Sequence, residues 1–176
     1  MKKIIADSTA LILLAKCSLL QTLCTRFEVV VPSSVIDETA SDELVKDYPD
    51  ASLIRDLFNK GFFKIELPES GKLNTPITLH RGESDALMLT LQSPDTLYAT
   101  DDVKAIKAAR FMKIPFIITP KIVVDLYRLR EISFDKARHS IEKLGKIGRY
   151  SPEILAESIL SLKEVRNGKT HDNTHT

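Results

Sequence analysis

Short apolar runs recur along the chain with a helical segment between each pair, and this alternation restricts the fold more than any other feature. The runs are "KKIIA" (2–6), "FEVVV" (27–31), "FFKIEL" (62–67), "TLYAT" (96–100) and "PFIIT" (115–119). Between them lie "STALILLAKCSLLQTLC", read as one or two helices, and a helix opened by "PSS" that runs to about Val45. Pro32, near that opening, suits a helix start because its φ is fixed and it has no donor to lose. "PDASLIRDLFNKG", stopped by Gly61, "ESDALMLTLQ" and "VKAIKAARFMK" supply further helices, and "PKIVVDLYRLR" follows the last run. The segment 68–78 reads as loop. Short strands joined through helices are parallel and covered on both faces. The expectation is an α/β fold of three layers, α/β/α, around a mostly parallel sheet.

The alternation stops after about Glu131. Two helices follow, near 133–144 and 151–163, with no strand between them. The chain therefore divides into an α/β domain over 1–130, a C-terminal helical extension over 131–165 and a polar tail over 166–176, read as disordered. His171 and His175 lie in that tail and read as part of it, not as a metal pair. No apolar run approaches the roughly 20 residues that a bilayer span needs. The N-terminus begins basic and turns apolar, but Asp7 and Lys16 interrupt it and no small-residue cleavage pattern follows, so it reads as mature strand and helix. Cys17 and Cys24, with no second pair, read as buried thiols outside any disulfide, which suits a reducing cytoplasm.

Acidic residues collect at strand ends. Asp7 directly follows "IIA", and Asp101 and Asp102 directly follow "LYAT". Glu38 lies about two turns into the helix after "FEVVV", far enough to reach back over the same edge. "GESDAL" adds Glu83 and Asp85 at the head of the helix before "TLYAT". Those two are about 200° apart around a helix, so both reach one point only if one lies in the entry turn. Each acid alone has a simpler account: Asp7 and Asp101 as helix N-caps, Asp102, Glu83 and Asp85 as first-turn acids favoured by the dipole, Glu38 as part of a wetted face. Together they bring carboxylates from four segments to the edge where open parallel sheets bind ligands.

Clustered carboxylates repel unless a cation is present. An all-oxygen set selects Mg²⁺ or Mn²⁺ over Zn²⁺, and such ions serve in-line displacement at phosphate. Asp7, leaving a buried strand, is expected to be the central ligand. Of the doublet, Asp102 is expected to ligate and Asp101 to cap its helix.

"IIADSTALILLAK", "VVVPSSVIDE", "RGESDALMLTLQ" and "LYATDDVKAIKAARFMKIPFI" together resemble the PIN-domain family, which includes VapC-type toxins of toxin–antitoxin pairs. The likeness spans roughly residues 1–130 and is closest to the small prokaryotic PIN-like proteins that resemble those toxins. It implies a Mg²⁺- or Mn²⁺-dependent ribonuclease of the cytoplasm, with RNA as substrate, and a PIN-like fold. Carried over by motif, the acids are Asp7, Glu38, Asp85 (which precedes an alanine) and Asp102 (from the Thr-x-Asp spacing), with Glu83 and Asp101 as rival metal ligands. Ser8 and Thr100 fall where the family places hydroxyls that orient the carboxylates. A small antitoxin protein and a homodimer are the partners the resemblance suggests; a membrane is not.

Charge does not by itself point to nucleic acid, since the net charge is +1. Lys104, Lys107, Arg110 and Lys113 spiral around their helix and read as a solvated face, not a phosphate track. Aromatics make up 6% of the chain and tryptophan is absent, so base-stacking platforms are poorly supported. Other acid-using α/β folds fit less well. "DST" lacks the second aspartate of a haloacid-dehalogenase-like phosphatase, no lysine ends "PFIIT" as in a receiver domain, and no glycine-rich phosphate loop is present. The competing class is a PIN-like module without catalysis that acts only through protein or RNA partners.

Overall fold

β1 (Lys3–Ala6), β2 (Glu28–Pro32) and β4 (Thr96–Ala99) form the middle of the sheet because they are apolar on both faces. Register sets Ile5 opposite Val30 on one side and Tyr98 on the other. With alternating side chains, these three share a face, and they are buried against Ala86, Leu87 and Leu89 of α6 (Arg81–Gln92) and Ala105, Ala108 and Ala109 of α7 (Val103–Phe111). Ile4 and Val29 point the other way and are equally buried. β3 (Lys64–Glu66) and β5 (Phe116–Ile117) close the two edges, giving five parallel strands in the order β3-β2-β1-β4-β5. The sheet is wholly parallel where the sequence implies only a mostly parallel one, and the three-layer α/β/α arrangement is as expected. The computed structural model describes residues 3–168.

The first long apolar segment divides into α1 (Ser8–Lys16) and α2 (Leu20–Arg26), bent by 111° at Ser18, whose φ is 54°. Among the described residues no single helix is long and apolar enough to cross a membrane; this bent pair reaches the length only together, and most of its apolar residues are buried. The segment after β2 is likewise two helices, α3 (Ser33–Ala40) and α4 (Asp42–Asp47). Ser41 breaks them, with extended backbone and a hydroxyl that accepts from the Leu44 N–H. α5 (Pro49–Asn59) ends before Gly61, whose φ of 74° allows the chain to turn into β3. Cys17 and Cys24 are buried and in no disulfide, and burial pushes the Cys24 thiol up to about 12.

Two compact units divide between Thr119 and Pro120, whereas the sequence places its boundary at 130/131. The second unit holds most of α8 (Thr119–Arg128), with α9 (Phe134–Ile147) and α10 (Pro152–Arg166). Within it the Tyr127 and Phe134 rings meet edge-on, and the Arg166 guanidinium stacks over Phe134 at 4.7 Å. Of the polar tail, Arg166 closes α10 and Asn167 is its C-cap. Residues 169–176, with His171 and His175, lie outside the described residues.

Candidate active site

The strand order reverses between β1 and β4, and in a doubly wound sheet this is where a crevice opens beyond the carboxyl ends of the strands. Asp7 is the first residue past β1. Its N–H donates to the Ala99 carbonyl at 3.1 Å, and the Thr100 N–H donates to Ile117 at 3.1 Å, so the ladder continues into both acidic segments.

Asp7 is fully buried and caps α1. Its Oδ1 accepts from the Ala10 N–H at 3.1 Å and the Thr9 hydroxyl at 2.7 Å, and its Oδ2 accepts from the Tyr98 hydroxyl at 2.8 Å. Burial raises its pKa, and hydrogen bonds from Thr100, Ala10, Thr9 and Tyr98 oppose the rise. The Tyr98 hydroxyl is itself held well above its ordinary range, first by burial and then by the Asp7 charge, so it stays a donor. Thr9 links the two strand ends: its oxygen accepts the Asp101 N–H at 3.0 Å while its proton goes to Asp7.

Glu83 is buried in the first turn of α6, where its Oε2 accepts the His80 N–H at 2.9 Å. Its pKa is raised by burial and, further, by the charges of Asp102 and Asp7, while the His80 N–H opposes the shift. Carboxylates from β1, α6 and the start of α7 are thus within electrostatic reach of one another.

Asp102 is the N-cap of α7: its backbone is extended (φ −77°, ψ 128°) and its Oδ1 accepts from the N–H groups of Lys104 at 2.7 Å and Ala105 at 3.0 Å. This corrects the expectation that Asp101 caps the helix, because Asp102 is the last extended residue before Val103. Both capping bonds fall on Oδ1, leaving Oδ2 without a hydrogen bond among the described residues. Asp101 turns instead to the far end of β5. Its Oδ1 accepts the Thr119 N–H at 2.9 Å and its Oδ2 accepts the Thr119 hydroxyl, so it ties down the start of α8.

Glu38, on an exposed turn of α3, reaches across to α6. Its Oε1 accepts the Gly82 N–H at 3.0 Å and its Oε2 accepts the Ser8 hydroxyl. Ser8 therefore bridges the first acidic segment to Glu38. Thr100 does the same between Asp7 and the doublet, with its oxygen accepting the Asp102 N–H at 3.2 Å. Asp85 Oδ2 accepts from the Ser34 hydroxyl at 2.6 Å and lies 3.8 Å from Arg81, beside a hollow lined by Glu69, Lys72 and Met88.

Sequence reasoning missed four contributors: Thr9, Tyr98, Gly82 and Thr119. Tyr98 left one signal, a polar tip in an otherwise apolar run. Gly82 left another, a glycine inside a helical segment.

The donors are all oxygen, carboxylate and hydroxyl, which suits a hard divalent cation such as Mg²⁺ or Mn²⁺. Asp7, Glu38, Glu83 and Asp102 carry such oxygens at this edge. Among the described residues, however, no three His, Cys, Asp or Glu side chains come close enough together to hold an ion. Each acid instead meets a local hydroxyl or amide.

Fold and cluster define a class: α/β proteins that gather carboxylates beyond the carboxyl edge of a parallel sheet. A family model described as a PIN domain matches residues 3–164, and the chain belongs to the PIN-domain family. PIN domains are in general nucleases, and typically use divalent metals. No curated protein matches the chain.

Proposed function

We propose that the chain is a Mg²⁺- or Mn²⁺-dependent endoribonuclease of the cytoplasm, and the toxin of a toxin–antitoxin pair. The observation that carries this reading is the placement of acids at the switch point: Asp7 and Asp102 follow the paired ends of β1 and β4, linked through Thr9 and Thr100, and Glu83 is buried in the first turn of α6. Three acids from three elements that feel one another at a sheet switch point call for a cation.

When bound, Mg²⁺ or Mn²⁺ supplies charge neutralisation for a phosphate and lowers the pKa of water. The chain's own residues fix the geometry. Thr9, Ala10 and Tyr98 hold the Asp7 carboxylate in one orientation. Ser8 and Gly82 hold Glu38, the His80 N–H holds Glu83, and Asp102 offers the Oδ2 that its capping role leaves unused. In this assignment Glu83 replaces Asp85 as the third acid. Asp85 is an outer residue that fastens α6 to α3 through Ser34, and the exposed Arg81 beside it offers a cation to the RNA backbone.

The toxin assignment rests on the motifs shared with VapC-type toxins. It entails a small antitoxin protein as partner, with a homodimer as the toxin's own state. Co-purification with the product of an adjoining small open reading frame, followed by light scattering, tests both.

The test of the enzyme is cleavage of single-stranded RNA by the purified protein with Mg²⁺ or Mn²⁺. Cleavage should stop on chelation and be absent from Asp7→Asn. A wild type that cuts no RNA with either ion transfers the chain to the second reading, a PIN-like binding module. One observation favours that alternative: among the described residues, the acids do not gather in threes at ion-holding distance.

A further inference from the structure

Gly82 is the second residue of α6, and its N–H is one of those a helix leaves unpaired at its start. It gives that N–H to Glu38 Oε1 at 3.0 Å. A Cβ on Gly82 would lie 2.6 Å from Glu38 Oε2, 2.9 Å from Oε1 and 3.0 Å from Cδ. Real side chains do not approach so closely. Yet the Gly82 backbone is not among the positive-φ glycines, so its conformation does not require glycine. In a helix, glycine is also less favourable than alanine. What accounts for glycine here is the carboxylate lying against it.

We propose that Gly82 is a positioning residue for Glu38. Its amide and its missing side chain form a cradle that, with the Ser8 hydroxyl, fixes the Glu38 carboxylate between the starts of α6 and α1. The purpose of that carboxylate rests on the nuclease reading; the cradle itself does not.

Fold and site should then respond to Gly82→Ala in different directions. The obstacle to the new Cβ is the far end of an exposed, flexible side chain. Glu38 can swing away, α6 gains a better helix former, and the protein should melt at the same temperature or higher. The site loses the carboxylate that swings out. Mn²⁺ affinity, measured by calorimetry, should fall about 10- to 100-fold, as when other outer-shell partners are removed. RNA cleavage should fall with it. Adding Glu38→Asp shortens the acid by one methylene, makes room for the Cβ, and should restore Mn²⁺ affinity above that of Gly82→Ala alone. A metal-free readout is the Gly82 amide resonance, which should shift in Glu38→Ala.

Gly82→Ala with wild-type Mn²⁺ affinity overturns the proposal, and so does a Gly82→Ala protein that fails to fold. A loss that Glu38→Asp does not recover places the effect in the helix and overturns it too. If the wild type itself binds no Mn²⁺, the nuclease reading falls, and the Gly82 amide decides the cradle alone: an unmoved resonance in Glu38→Ala overturns it.

Discussion

Burial holds the Asp7 carboxyl above its ordinary range, and its hydrogen bonds from Thr9, Ala10 and Tyr98 offset this only in part. A carboxyl whose folded pKa lies above its ordinary 3.8 binds its proton more tightly in the folded state. Its destabilising effect is absent below the ordinary value, grows as pH rises from the ordinary to the folded value, and is full above it. Asp7→Asn keeps an acceptor for Thr9 and Ala10 but removes the charge. Without metal, it should raise stability near neutral pH by about 0.5–2 kcal/mol, as relieving a functional site commonly does. Melts at acidic and neutral pH check this, since the gain should vanish in acid. A loss of stability at both would mean that the weaker hydrogen bonding of the substituted amide outweighs the relief of charge.

The doublet separates by the same reasoning. Asp101→Ala leaves the buried Thr119 without either acceptor and should lower stability by about 1–3 kcal/mol. Asp102→Asn keeps a competent cap, so its melt should change little while RNA cleavage is lost. Cleavage that survives Asp102→Asn would remove that residue from the site. An acid at the end of an apolar strand stands out in sequence, so Asp7 and the doublet are legible there. The roles within "TDD" are not, because one residue's offset decides between capping α7 and reaching Thr119.

At the scale of elements, the first turn of α6 sorts two acids that sequence leaves paired. Glu83 folds back on the His80 N–H and stays inside, while Asp85 points to Ser34 and Arg81. The Asp-Ala match to the family favours Asp85, whereas the helix start sets Glu83, not Asp85, against the His80 N–H. Glu83→Gln retains an acceptor for His80, so the helix should persist while cleavage falls steeply. Asp85→Asn should retain most cleavage. The reverse result would restore Asp85 as the third acid. Other elements were legible in kind but not in extent. α3–α4 reads as continuous and α1–α2 as one or two helices, because the breaks lie in one cap at Ser41 and one positive φ at Ser18. "PFIIT" reads as a full strand, yet only Phe116–Ile117 pair, on the β4 side alone.

For the whole molecule, strand order matters more than any single residue. Alternation of strands and helices implies a parallel sheet, but it does not say that β4 inserts beside β1 so that their carboxyl ends lie side by side. That insertion brings residues far apart in the chain into contact, as in the bonds from Tyr98 to Asp7 and from Asp101 to Thr9. It also places like charges together, which has a global consequence. With no ion present, repulsion among Asp7, Glu83 and Asp102 acts against the folded state alone, because the unfolded chain disperses them. A divalent ion that binds only the folded form should therefore raise the melting temperature. Saturation at about 100 times the dissociation constant stabilises by roughly 2.7 kcal/mol. Mg²⁺ and Mn²⁺ should each produce the rise, a monovalent salt at equal ionic strength should not, and Asp7→Asn should abolish most of it. A wild type whose melt is unmoved by millimolar Mn²⁺ has no competent cation site, whatever the likeness of its motifs.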